Sequence, residues 1–150
     1  MDKASVGKYG EQIAVRFLKK QGYKVLERNL HVSHQEIDIV AMNREYIVFA
    51  EVKTRTIHPD KADVYSTPGA AVNYQKQKYL ISAARKYLSD NRYELQPRMD
   101  VIEVYLAPED TLSKTEKFLE KLVGLFGKNS RKVLRINHIE NAFGPHGYHP

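Results

Sequence analysis

The sequence predicts an α/β fold, a mixed β-sheet flanked by helices in three layers, and three observations predict it. Residues 4–21 repeat their apolar side chains at the helical period. Residues 36–53 read as two strands, rich in β-branched and aromatic residues, joined by a polar turn at 42–45. A second helical stretch, 70–89, separates that hairpin from another apolar run at 98–106. A helix in that place crosses over and sets the later strand parallel to an earlier one.

In the first helix, Val6, Gly10, Ile13, Ala14, Phe17 and Leu18 fall on one stripe, with Lys8, Gln12, Arg16, Lys19 and Lys20 opposite. Glu11 stands at the edge of the apolar stripe, where the helix meets the body. Gly7 and Gly10 weaken the helix, and Gly22 ends it as a C-terminal cap. Residues 23–30 form a first strand with Val25 as a core candidate, and 31–34 a loop. His31 and His34 lack a cysteine or a close third ligand, so they read as loop residues rather than a zinc site.

The stretch 54–69 holds Pro59, Pro68 and Gly69 and reads as a long exposed loop beside the hairpin. In helix 70–89, Val72, Tyr79, Leu80, Ala83, Ala84, Tyr87 and Leu88 supply the apolar side, and Tyr74 reads as packing. Strand 98–106 follows the break at Asp90-Asn91, with Asp100 as a structural acid. Residues 107–132 form an insertion. Ser113-x-x-Glu116 has capping-box spacing and opens a helix over 113–127. Its stripe of Phe118, Leu119, Leu122, Val123 and Phe126 is expected to be buried on its own domain or across a dimer. A short strand at 133–139 and a disordered tail from 144 to 150 complete one domain spanning 1–150.

With 150 residues, 42% hydrophobic and 28% charged, the chain suffices for one domain with a real core. No apolar run approaches a membrane span and nothing at the N-terminus reads as a signal peptide. Without cysteine there is no disulfide or thiolate zinc site, and a reducing cytoplasm is the expected location. The net charge of +6 favours a nucleic acid or an anionic membrane, and of the two DNA is the expected partner, with no membrane.

The hairpin carries the chemistry. With the turn at 42–45, Asp38 faces Phe49 and Glu36 faces Glu51, so Asp38, Glu51 and Lys53 converge on one sheet face. Two unit charges about 4 Å apart at an effective dielectric near 20 repel by roughly 4 kcal/mol. Lys53 can neutralise only one carboxylate. The rest need protons or a cation, and carboxylates with water and phosphate suit Mg²⁺. The plainer alternative is an edge-strand ion pair of Glu51 with Lys53 and a solvated Asp38. The acids stand inside hydrophobic runs, where unpaired charge is costly, and that favours a site. Arg55 and Lys61 in the loop are candidates to meet phosphate, or plain solvated charges. Lys76 and Lys78, near Tyr74, suit a nucleic-acid backbone.

Asp38…Glu51-Val52-Lys53 resembles the core of the restriction-endonuclease-like, or PD-(D/E)XK, nucleases. Ile37 stands where that name has proline. More narrowly, Gly10-Glu11, Gln35-Glu36-Ile37-Asp38-Ile39-Val40, Phe49-Ala50-Glu51-Val52-Lys53-Thr54-Arg55, Lys76, Arg98-Met99-Asp100-Val101 and Asn141-Ala142-Phe143 are similar to the YraN-like family, related to archaeal Holliday-junction resolvases. The resemblance implies a restriction-endonuclease-like core and a Mg²⁺- or Mn²⁺-dependent endonuclease acting on structured or branched DNA. It implies Asp38, Glu51 and the Val52 carbonyl as metal ligands and Lys53 as the lysine that orients water or meets phosphate charge. It adds Glu11 to the acidic site, Lys76 as a family position, and a two-fold homodimer. Two other readings stand beside it: a non-catalytic nucleic-acid-binding module, and an interaction protein working through the 113–127 helix.

Overall fold

A computed structural model describes residues 2–58, 72–109, 113–123, 131–144 and 147–148. Helix α1 spans Lys3–Lys20, followed by strands β1 (Lys24–Val32), β2 (Gln35–Met42) and β3 (Tyr46–Thr56). Helix α2 (Tyr74–Asp90) leads to β4 (Gln96–Leu106), then α3 (Lys114–Val123), β5 (Val133–Gly144) and the two-residue β6 (Gly147–Tyr148). The sheet order is β1-β2-β3-β4-β5-β6, antiparallel except where β4 runs parallel to β3. The chain is thus an α/β protein built on a mixed sheet, as expected.

The two helices take opposite faces because β3 is apolar on both. Ile47 and Phe49 pack into the core of α2 with Leu80, Ala83, Ala84 and Tyr87. Val48 and Ala50 pack into the core of α1 with Ile13, Ala14, Val15 and Leu18. A near-continuous apolar run is what a strand covered on both sides requires.

Local signals set the helix ends. Asp2 caps α1, its Oδ1 accepting from Ser5 N at 2.8 Å. At the other end Gly22 takes φ +89°, Gly22 N donates to Lys19 O at 3.1 Å and Tyr23 N to Leu18 O at 3.0 Å. This is the Schellman arrangement that a glycine after the helix permits. Gly10 is needed for packing: a Cβ there would run into the Thr54 side chain of β3. The same glycine lets α1 lie close enough for its neighbour Glu11 to reach the sheet.

Several boundaries differ from expectation. Strand β3 continues to Thr56, so residues 54–56 are strand rather than loop, and the rest of the expected loop from 59 to 69 lies outside the described residues. Asn73 caps α2 by accepting from Lys76 N at 2.9 Å. Tyr79 and Tyr74 are 44% and 64% exposed, so neither is a packing residue of α2. The capping box forms, with Ser113 N donating to Glu116 Oε2 at 2.9 Å and Glu116 N to Ser113 Oγ at 3.2 Å. Yet Phe118, Leu119 and Leu122 are 61%, 52% and 66% exposed, so the α3 stripe is not buried on its own domain. The Val123 side chain and residues 124–127 lie outside the described residues. Strand β5 extends to Gly144, and Gly147–Tyr148 pairs back on it, so residues 144, 147 and 148 are strand rather than disordered tail. Asp100 is structural: both its oxygens accept from Arg98, at 2.9 and 2.8 Å, and it also meets His138 and Asn141 N.

Candidate metal and nucleic-acid site

The site forms where β2 and β3 part. Their ladder pairs Met42 with Ile47, Ala41 with Val48, Val40 with Phe49 and Ile39 with Ala50, and there it stops. The turn is tighter than expected. Asn43 N donates to Tyr46 O at 3.0 Å, and Asn43 Oδ1 accepts from the N–H groups of Glu45 and Tyr46 at 2.9 and 2.8 Å. An asparagine side chain imitating a backbone turn in this way is common. The pairing therefore differs by two residues from that expected: Val40, not Asp38, faces Phe49. An even slip keeps each side chain of the paired stretch, 39–42, on its expected face.

Beyond Ile39 the alternation of β2 breaks. Ile37 and Val40 belong to the α2 core, whereas Ile39 belongs to the α1 core. Opposite the break on β1, between the pairs Arg28↔Ile39 and Leu30↔Ile37, Asn29 takes φ +49°. Asparagine is among the few residues that adopt this conformation readily. At this kink Asp38 turns its carboxylate to β3, and Oδ2 accepts from Val52 N at 2.7 Å. On a strand, N–H and C=O of one residue point to the same side, so the Val52 carbonyl faces this gap too.

Glu51 is 4% exposed. Its Oε1 meets Lys76 Nζ at 2.8 Å and Lys53 Nζ at 3.4 Å. Its Oε2 is buried and has no hydrogen-bond partner among the described residues. Burial, then the charge of Glu51, push Asp38 up to about 7 against the pull of the Val52 N–H. Burial also raises Glu11, with Glu36 and Glu51 adding to the rise. For Lys76, burial acts downward, but the Glu51 hydrogen bond and the charges of Glu51 and Asp38 outweigh it and hold the ammonium above the ordinary lysine range. On α1, Glu11 Oε2 lies 2.9 Å from the Asn29 amide, and Glu36 Oε1 lies 2.9 Å from the same group. With its nitrogen toward both carboxylates, Asn29 donates to each. Glu36 also approaches His31 at 3.9 Å.

The structure thus gathers Asp38, Glu51, Val52, Lys53, Glu11 and Lys76. It separates Lys78, whose ammonium lies 4.7 Å from the centre of the exposed Tyr74 ring. Arg55 is exposed farther along β3, and Lys61 lies outside the described residues. Among the described residues no three or more His, Asp or Glu side chains cluster as a metal cage. The donor set is two carboxylates and a carbonyl, of which one buried carboxylate oxygen has no partner among the described residues. That matches Mg²⁺, which takes one or two carboxylates and keeps several waters.

Two residues escaped sequence reading. Asn29 stands inside β1, a position where asparagine is disfavoured, and that was its signal. Glu103 sits in Val101-Ile102-Glu103-Val104, a charge inside an apolar run like Glu51 itself. It is 0% exposed and in register with Lys53.

A mixed-sheet α/β protein with acids and lysines clustered at the parting of two strands is the class defined so far. Residues 10–104 match the model of the Uncharacterised protein family UPF0102, and the chain belongs to that family. A UPF0102 protein of Caldanaerobacter subterraneus subsp. tengcongensis is 41% identical over 144 residues, covering 95% of this chain and 98% of the relative. One from Alkaliphilus oremlandii is 37% identical over 141 residues, 92% and 97% of the two chains. One from Clostridium acetobutylicum is 41% identical over 115 residues, 76% and 89%. Among the described residues no helix is long and apolar enough to cross a membrane.

Proposed function

We propose that the chain is a Mg²⁺- or Mn²⁺-dependent endonuclease that hydrolyses phosphodiesters in structured or branched DNA. The observation that carries this reading is Glu51: a buried carboxylate with one oxygen held by two lysines and the other without a partner among the described residues, beside an Asp38 whose burial, then Glu51, push it up to about 7. An orphaned buried acceptor costs about 1–3 kcal/mol, which a bound cation would offset. Asp38, Glu51 and the Val52 carbonyl would hold the ion. When bound, it supplies Lewis acidity to a phosphoryl oxygen and acidifies its water. Lys53, partly exposed beside Glu51, offers its ammonium to the attacking water or to phosphate charge. Lys76 holds its ammonium 2.8 Å from Glu51 Oε1. Glu11, joined through Asn29 to Glu36, adds negative charge behind the site. The preference for branched DNA, and a two-fold homodimer that would cover the exposed α3 stripe, come from the resemblance to restriction-endonuclease-like resolvases.

A second reading is a nucleic-acid-binding module without catalysis. It is favoured by Lys76, whose 2.8 Å contact already neutralises Glu51 without a metal. Cleavage assays on branched and linear DNA, with and without Mn²⁺, separate the two. Metal-dependent cleavage by the parent and none by Lys53→Met supports the nuclease. DNA binding that is indifferent to metal, with no cleavage of any substrate, supports the module.

A further inference from the structure

Glu103 is a buried charge that the site as described does not use. It stands on β4 directly beside Lys53 of β3, in a parallel pair that continues Glu51↔Val101. In-register neighbours lie about 4.8 Å apart along the hydrogen-bonding direction and project from the same face. That face is the one Glu51 and Lys53 share, since Glu51 and Val101 both precede by two residues. Glu103 Oε2 accepts from Tyr105 Oη at 3.0 Å and from Asn137 Nδ2 at 2.9 Å, which holds the carboxylate in one orientation. Its Oε1 is buried and has no partner among the described residues.

A buried carboxyl oxygen left without a partner is costly, and a cation brought to it would offset that cost. Lys53, its register neighbour on β3, is loosely held. Of the two ammonium groups on Glu51 Oε1, Lys76 is close at 2.8 Å and Lys53 is long at 3.4 Å. Lys53 therefore gives up little by leaving, and its four-carbon stem spans to the neighbouring strand.

We propose that Glu103 is a positioning residue for Lys53, a second carboxylate that receives the Lys53 ammonium once the charge of Glu51 is taken up by a cation. Lys53 then has two places, one on each strand, and Tyr105 and Asn137 hold the second ready. This rests on the reading of Lys53 as the lysine of a phosphodiester-cleaving site and assigns the residue that keeps it aimed.

The test is made without metal or nucleic acid, so that it stands apart from cleavage. Glu51→Gln imitates a Glu51 whose charge is already taken. In that background, a double-mutant cycle of Lys53→Met and Glu103→Gln is measured by urea unfolding. The expected result is a non-additive cycle, with coupling of about fivefold or more in the folding equilibrium constant, and weaker coupling when Glu51 is intact. Additive effects would overturn the assignment. Should Glu103→Gln fail to fold, a crystal structure of Glu51→Gln decides: Lys53 Nζ within hydrogen-bonding distance of Glu103 Oε1 supports it, and an ammonium turned to solvent overturns it. A non-additive cycle in a protein that cleaves nothing removes the nuclease and keeps the pair. An additive cycle in a protein that cleaves removes Glu103 alone.

Discussion

Val52 N donates to Asp38 Oδ2 at 2.7 Å, at the point where the β2–β3 ladder ends. A side chain has taken the place of a strand. The acceptor is an acid, and it stands within the field of the Glu51 carboxylate. The N–H bond favours the ionised acid, yet burial and Glu51 win and push Asp38 up to about 7.

A pH dependence follows. A raised acid binds its proton more tightly folded than unfolded, so its stabilising share is complete below the ordinary value of 3.8 and is lost as pH rises to about 7. Metal-free protein should therefore lose stability across that window, and Asp38→Asn, which keeps an acceptor for Val52 N, should flatten this part of the profile. Urea unfolding between pH 4 and 8 measures it. An unchanged profile in the variant would show that Asp38 does not titrate there.

Gly10 sets how near α1 approaches β3. Gly10→Val should cost about 1–3 kcal/mol through overpacking against Thr54. Thr54→Ala in the same chain should recover part of that loss. Equal stability of parent and Gly10→Val in chemical denaturation would contradict the close contact.

Arg55 is exposed on the strand that carries Glu51 and Lys53. Arg55→Ala should weaken DNA binding without regard to sequence and lower the salt slope by about 1. Binding isotherms at several salt concentrations test this, and identical slopes would make Arg55 a plain solvated charge.

The α3 stripe gives a prediction of assembly. The parent should sediment as a dimer and Leu122→Asp, at a position 66% exposed in the single chain, as a folded monomer. Equal mass for both proteins would remove α3 from any dimer.

Much of this was legible because it is local. Gly22 after Lys20, Ser113 three residues before Glu116, and acids inside the apolar runs of β2 and β3 each carry their reason within a few residues. The pairing of β2 with β3 was not, because the Asn43 side chain made the turn two residues tighter than the polar quartet suggested. The kink at Asn29 and Asp38 depends on a positive φ that alternation does not foresee. The pairing of Lys76 with Glu51 was not legible, because the two stand 25 positions apart and meet only when α2 is in place. Tyr74 looked like core because an aromatic on a helix usually is, but its place at the first turn leaves it outside.

The central claim is that Asp38 and Glu51 hold a divalent cation, and Mn²⁺-dependent thermal unfolding of the parent and of Glu51→Gln tests it most directly. At about 100 times its dissociation constant, the ion should add roughly 2.7 kcal/mol to the parent. Glu51→Gln should fold and show no such shift. A parent midpoint that stays unchanged through millimolar Mn²⁺, or a Glu51→Gln midpoint that rises as the parent's does, would contradict the account.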